Sequence, residues 1–113
     1  MIYKICPVQD WAQAVEQRSY TGSPVDRKDG FIHFSTAPQV AGTLAKYYAE
    51  ANDLLLVAVD TAELGEALQF ERARDGALFP HLYAALPLAA VRWVKPLTRG
   101  TDGVFVLPPD LGE

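Results

Sequence analysis

The chain has 113 residues, the length of one domain and too short for two independent cores. Half of them are hydrophobic and 21% are charged, which excludes disorder as the main state. Ten Lys and Arg against 14 Asp and Glu leave a net charge of -4, so the chain lacks the basic footprint of a general nucleic-acid binder.

Area scaling has folding remove roughly 12,000 Å² from water, enough for a core without staples. The single cysteine, Cys6, has no partner for a disulfide and builds no cysteine zinc site. The apolar start, Met1 to Cys6, is interrupted by Lys4 and is too short for a signal-peptide core. The apolar stretch from Ala77 to Val91 contains Pro80, His81 and Pro87 and is shorter than a membrane span. These features point to a soluble cytoplasmic protein with no membrane association. The expected organisation is one domain over 1–113, with a core over 2–107 and a tail over 108–113.

In chain order, Ile2 to Cys6 alternates and is rich in β-formers, which predicts a strand ending at Pro7. Asp10 stands as an N-cap before a helix from Trp11 to Gln17, with Trp11, Ala14 and Val15 on one face. Tyr20 to Gly30 has turn chemistry throughout and reads as a long irregular segment. Phe31 to Ser35 is a second strand. Thr36 to Gln39 matches a capping box with proline in the first turn, and opens a helix to about Ala51. Its apolar stripe is Val40, Leu44, Tyr47, Tyr48 and Ala51, and Asn52 suits the left-handed position after it.

Leu54 to Asp60 is a continuous apolar run, the mark of a strand buried on both faces. Leu68 to Arg72 alternates, with Leu68 and Phe70 on one face and Gln69 and Glu71 on the other. A turn at Arg74, Asp75 and Gly76 precedes an extended piece from Leu78 to Tyr83. Pro87 opens a helical turn, Val91 to Lys95 is a further strand, and 103–107 a last edge strand. About six strands and two main helices, the helices in the first half, predict an α+β domain on a small, mostly antiparallel sheet.

Strand alternation sends Ile32 and Phe34 to the core, and His33 and Ser35 to a cleft or to solvent. Glu71 lies beside Phe70 and the apolar segment after Gly76. A carboxylate next to apolar surface gains a raised pKa and can serve as an acid or base. His81 and Tyr83 share a face about 7 Å apart, a spacing that can hold a ring or a ribose. His33, His81 and Glu71 are therefore the catalytic candidates, and Lys4, Ser35, Tyr83 and Arg72 the ligand-contact candidates. No local motif supports a metal site on the two histidines and Glu71. Cys6 at a strand end has only Lys4 nearby to activate a thiolate. The segment from Gly76 to Thr101 carries only positive charge, in Arg92, Lys95 and Arg99, enough for one small anionic ligand.

The blocks Gly30-Phe31-Ile32-His33-Phe34-Ser35 and Phe79-Pro80-His81-Leu82-Tyr83, with Gln39, Tyr47-Tyr48 and Glu71 between them, resemble one family. It is the bacterial "domain of unknown function 952" family, and the resemblance runs from Ile2 to about Leu97. It implies an ADP-ribosyltransferase-like fold, a split α+β sheet whose cleft holds NAD in other members of that fold. It implies that Lys4 lies near the grip on the nicotinamide ribose, His33 near the nicotinamide pocket, and Glu71 at the ribose hydroxyl. Two functions follow: an enzyme acting on NAD or a nucleotide-like ligand at a ribose-linked centre, or a non-catalytic domain binding a small ligand in the same cleft. The bland alternative makes both histidines structural.

Overall fold

The computed structural model describes residues 1–73, 75–109 and 111. Its framework is an antiparallel sheet of β1 (Ile2–Pro7), β4 (Leu54–Val59), β8 (Val91–Arg99) and β9 (Phe105–Val106), in that spatial order. A second antiparallel sheet has the order β3 (Ile32–His33), β6 (Leu78–Leu82), β5 (Leu68–Arg72), and β2 (Ser19–Tyr20) pairs with β7 (Leu86–Pro87). Three α-helices lie in the first half: α1 (Val8–Gln17), α2 (Pro24–Asp29) and α3 (Val40–Tyr47). The α+β class with split antiparallel sheets thus follows the sequence reading. Nine strand segments are present among the described residues, because short pairings such as β2 with β7 leave no alternating pattern to read.

β4 is the central strand. It pairs along its whole length with β1 on one side and β8 on the other. Val57 and Val59 enter one hydrophobic cluster, with Ile2, Ile32, Phe34, Leu82 and Leu86. Leu54, Leu56 and Ala58 enter a second, with Tyr3, Ile5, Val40 and Leu44. An apolar run without polar interruption is what burial on both faces requires.

Several boundaries differ from the sequence reading. α1 starts at Val8, with Asp10 inside its first turn rather than capping it. Pro7 takes the cap position, and the Val8 N–H donates to the Asp53 carbonyl instead. Trp11 and Ala14 pack on the first cluster, but Val15 is exposed. α3 ends at Tyr47 rather than near Ala51, and Asp53, not Asn52, is the left-handed residue at φ 56°. Tyr48 and Ala51 still pack on the second cluster, whereas Tyr47 is 68% exposed. β8 continues through Pro96 to Arg99. A proline fits there because β9 pairs with β8 only at Thr98 and Arg99, so Pro96 has β4 as its single strand neighbour. Of the expected turn, Arg74 lies outside the described residues.

The largest difference is at 20–30, read as irregular. α2 forms there with Ser23 as its N-cap and Pro24 in the first position. The Ser23 hydroxyl accepts from the Asp26 N–H at 3.3 Å, and the Asp26 carboxylate accepts from the Ser23 N–H at 2.9 Å. Glycine is required just before it. Gly22 has φ +102°, and a Cβ there would lie 2.7 Å from Asp26 Cβ.

A pair of backbone hydrogen bonds links β1 to the chain just after β3. Tyr3 and Ser35 exchange backbone N–H···O bonds of 2.8 Å each. This bridge sets Lys4, on β1, against the chain around His33, and it forms the floor of a cleft between the sheets.

Candidate functional site

The cleft has a volume of about 580 Å³, within the range of small-molecule sites. β1 contributes Tyr3 and Lys4, α2 contributes Asp26 and Asp29, and β3 with the residues after it contributes His33 and Ser35. α3 and its end add Thr43, Tyr47 and Tyr48, while β6 adds Phe79 and His81. Asp10 of α1 also reaches it.

At its base is a buried ionic cluster. Lys4 Nζ lies 2.8 Å from Asp26 Oδ2 and donates to the His33 carbonyl at 2.9 Å. Asp26 Oδ1 meets His33 Nδ1 at 2.6 Å and accepts from the His33 N–H at 3.2 Å. With the Ser23 N–H, four donors fill the lone-pair sites of one carboxylate. Burial by itself raises the Asp26 carboxyl. The hydrogen bond from His33 and the Lys4 charge outweigh it and hold the group below the ordinary carboxylate range. His33 is engaged at both ends, since its Nε2 lies 3.0 Å from Asp29 Oδ2. Satisfying both carboxylates takes a proton on each ring nitrogen.

The second carboxylate–histidine pair lies on the β5–β6 sheet. Glu71 Oε1 meets His81 Nδ1 at 2.8 Å and accepts from the Tyr83 hydroxyl at 2.6 Å. Glu71 is 42% exposed at its side chain and His81 only 13%. Hydrogen bonds from Tyr83 and His81 lower the Glu71 carboxyl, and the same contact with Glu71 raises the Tyr83 phenol. The expectation of a raised Glu71 pKa is therefore corrected. Two donors and solvent access outweigh the apolar neighbours. His81 lines the cleft and Glu71 does not. With Nδ1–H donated to Glu71, Nε2 of the neutral ring is an acceptor, and it meets no protein group among the described residues.

Phe31 ties the two pairs together. Its ring centroid lies 4.1 Å from that of His81, 4.6 Å from His33 and 5.2 Å from Tyr83. The two imidazoles are edge-on at 5.4 Å, and His33 and His81 are direct partners in the β3–β6 ladder.

The sequence matches the model of a family described as "Protein of unknown function (DUF952)" over residues 5–94. The chain belongs to the DUF952 family. This DUF952 chain is similar to the X-ray structure of protein CC0527 from Caulobacter crescentus, with a TM-score of 0.88 and 42% identity over 94% of this chain and 93% of that one. It is similar to the solution NMR structure of the same protein, with a TM-score of 0.81 and 43% identity over 91% and 89% of the two chains. No curated protein matches the chain.

Of the residues singled out in the sequence, the DUF952 fold brings Lys4, His33, Ser35 and His81 to one cleft. Glu71 and Tyr83 stand behind His81. The Ser35 hydroxyl lies 3.2 Å from that of Thr43 on the buried floor. Arg72 is elsewhere, its guanidinium donating to the Gly76 carbonyl at 3.0 Å. The basic trio of the second half does not converge. Arg92 pairs with Asp60 at 2.9 Å, Lys95 lies over the Trp93 ring, and Arg99 covers Phe105. Cys6 is fully buried, and burial pushes its thiol up to about 11, which leaves it inert. Among the described residues no group of His, Cys, Asp and Glu is placed to hold a metal ion, and no helix is long and apolar enough to cross a membrane.

Sequence reasoning missed Asp26 and Asp29. The signal for Asp26 was present as Ser23-Pro24-Val25-Asp26, a serine followed three residues later by an acid with proline between. It was masked by the surrounding turn residues. Asp29 has no comparable signal, because its role depends on α2 folding back over β3.

Proposed function

We propose that this domain is an enzyme of ADP-ribosyltransferase-like type, acting at a ribose-linked centre, with His81 as its acid–base residue. The observation that carries the reading is the asymmetry of His81. One nitrogen is held by Glu71 at 2.8 Å, and the ring lines a cleft of about 580 Å³ with Nε2 unpartnered among the described residues. A carboxylate fixing one nitrogen so that the other can take a proton is the orienter–base arrangement of general acid–base sites. The cleft also offers Tyr47, Tyr48 and Phe79 as surfaces for a planar ring.

In the proposed step, the bond from the ribosyl C1′ to its leaving group breaks, with the electron pair departing on that group. The oxygen of a water or hydroxyl acceptor adds to C1′, and His81 Nε2 takes its proton. Asp29, whose carboxylate lines the cleft and holds His33 Nε2 at 3.0 Å, is the group offered to the positive charge that develops on the ribose. Glu71 acts through His81, and Lys4, Asp26 and His33 hold the cleft in shape.

The test is incubation of the protein with NAD, ADP-ribose and simple ribosides, with products followed by mass spectrometry and binding by thermal shift. The expected result is turnover of at least one riboside that His81→Ala abolishes and Glu71→Gln reduces, with binding retained in Glu71→Gln. Binding without any product in the parent protein replaces this reading with the non-catalytic one. No thermal shift with any of these ligands at millimolar concentration removes both.

A further inference from the structure

The cleft's charge selects among ribosides. One ammonium, Lys4, and a His33 that carries a proton on each ring nitrogen stand against three carboxylates, Asp10, Asp26 and Asp29, which leaves the described wall one charge negative when His81 is neutral. Among the described residues that line the cleft, the one ammonium, Lys4, is buried and spent on Asp26 and on the His33 carbonyl. His33 is spent on two carboxylates. Inside the cleft, a phosphate would therefore meet carboxylates without a free cationic donor among the described lining residues, a like-charge contact in a partly desolvated site.

Asp10 sharpens the point. It is half-buried in the first turn of α1, borders the cleft, and makes no ion pair among the described residues. Aromatic rings complete the opposite preference. Tyr47, at the mouth, already has the ammonium of Lys46 5.2 Å from its ring centroid, the geometry by which aromatic faces attract cations.

We propose that the ligand of this cleft is a cationic, phosphate-free ring compound, an N-ribosyl-pyridinium in the chemistry proposed above, and that Asp10 is a specificity-determining residue. This rests on the ribose-centred part of the reading above and narrows it: the same step at C1′ is kept, with a phosphate-free riboside preferred to NAD as the donor.

The experiment titrates the full chain with three probes while cleft resonances are followed by NMR. They are nicotinamide riboside, which is cationic, its uncharged dihydro form, and its 5′-phosphate. The expected order of affinity is cationic, then neutral, then phosphorylated, with roughly tenfold between the first and last, the ratio that about 1.4 kcal/mol of charge preference produces. Asp10→Asn should weaken the cationic riboside roughly fivefold, as loss of a partly screened charge contact does, and leave the neutral form unchanged. Its thermal midpoint serves as the control for folding. Equal binding of all three, or tighter binding of the phosphorylated form, overturns the charge inference and leaves the ribose-centred reading standing. No binding of any probe overturns both.

Discussion

Among the described residues two histidines meet carboxylates, His33 through Asp26 and Asp29 and His81 through Glu71, and their surroundings are opposite. Asp26 and His33 meet at 2.6 Å and Glu71 and His81 at 2.8 Å, so contact distance does not separate them. Partner count and burial do. Asp26 is buried and saturated by four donors, and His33 is held at both nitrogens. Glu71 is open to solvent, and His81 keeps one nitrogen for the cleft. A histidine with both nitrogens occupied is a structural clamp, whereas one with a single fixed nitrogen is ready for proton transfer. The same residue types are saturated and buried in one place and leave an open ring nitrogen in the other.

The largest expected effect lies in the buried pair. Lys4→Met strands the Asp26 carboxylate in the core and should lower stability by about 3–5 kcal/mol in urea unfolding, while the double variant Lys4→Met with Asp26→Leu recovers much of the loss. A single-variant cost near zero would mean the pair does not clamp the sheets. Acid should act through the same residue. The folded-state pKa of Asp26 lies below its ordinary value. Its contribution is therefore whole above about pH 4 and is lost as pH falls through that value toward the lower folded one. Asp26→Asn should flatten that part of the stability–pH curve, and an unchanged curve would assign acid sensitivity to other carboxylates.

Next comes the contrast between the histidines. His33→Ala leaves buried Asp26 short of a donor and should cost about 1–3 kcal/mol, while His81→Ala should cost less stability and more function. Reversed rankings would collapse the distinction between the pairs. The smallest effect on folding belongs to Glu71→Gln, which should leave the urea midpoint close to that of the parent protein. Its effect is on proton placement. The parent should hold the proton on Nδ1 of neutral His81, and the variant should lose that preference, as read from imidazole ¹⁵N shifts. An unchanged tautomer would show that Glu71 does not orient the ring.

Much of this was legible in the chain. The alternation around Ile32 and Phe34 correctly sends His33 and Ser35 to the cleft, because a strand's side chains have a period of two. The same rule puts His81 and Tyr83 on one face, where both reach Glu71. Leu54 to Val59 announces a strand buried on both sides. Arg72 was a weaker choice, since charge alone does not tell which turn a guanidinium will close. Asp26 was hidden because α2 has six residues, too few for a helical hydrophobic pattern to emerge.

The sequence by itself determined the class of fold, the central strand and the faces of the histidine strands, because these rest on local periodicity. The chemistry that caps α2, from Ser23 to Asp26, is also contained within four residues, although the segment read as irregular. Only the tertiary structure decided which histidine is free. That outcome depends on the Tyr3–Ser35 bridge bringing Lys4 to Asp26, and on α2 folding back so that Asp29 closes the second nitrogen of His33. Contacts between residues distant in sequence set the burial and partner count of each carboxylate, and those two quantities separate the saturated histidine from the one with an open nitrogen.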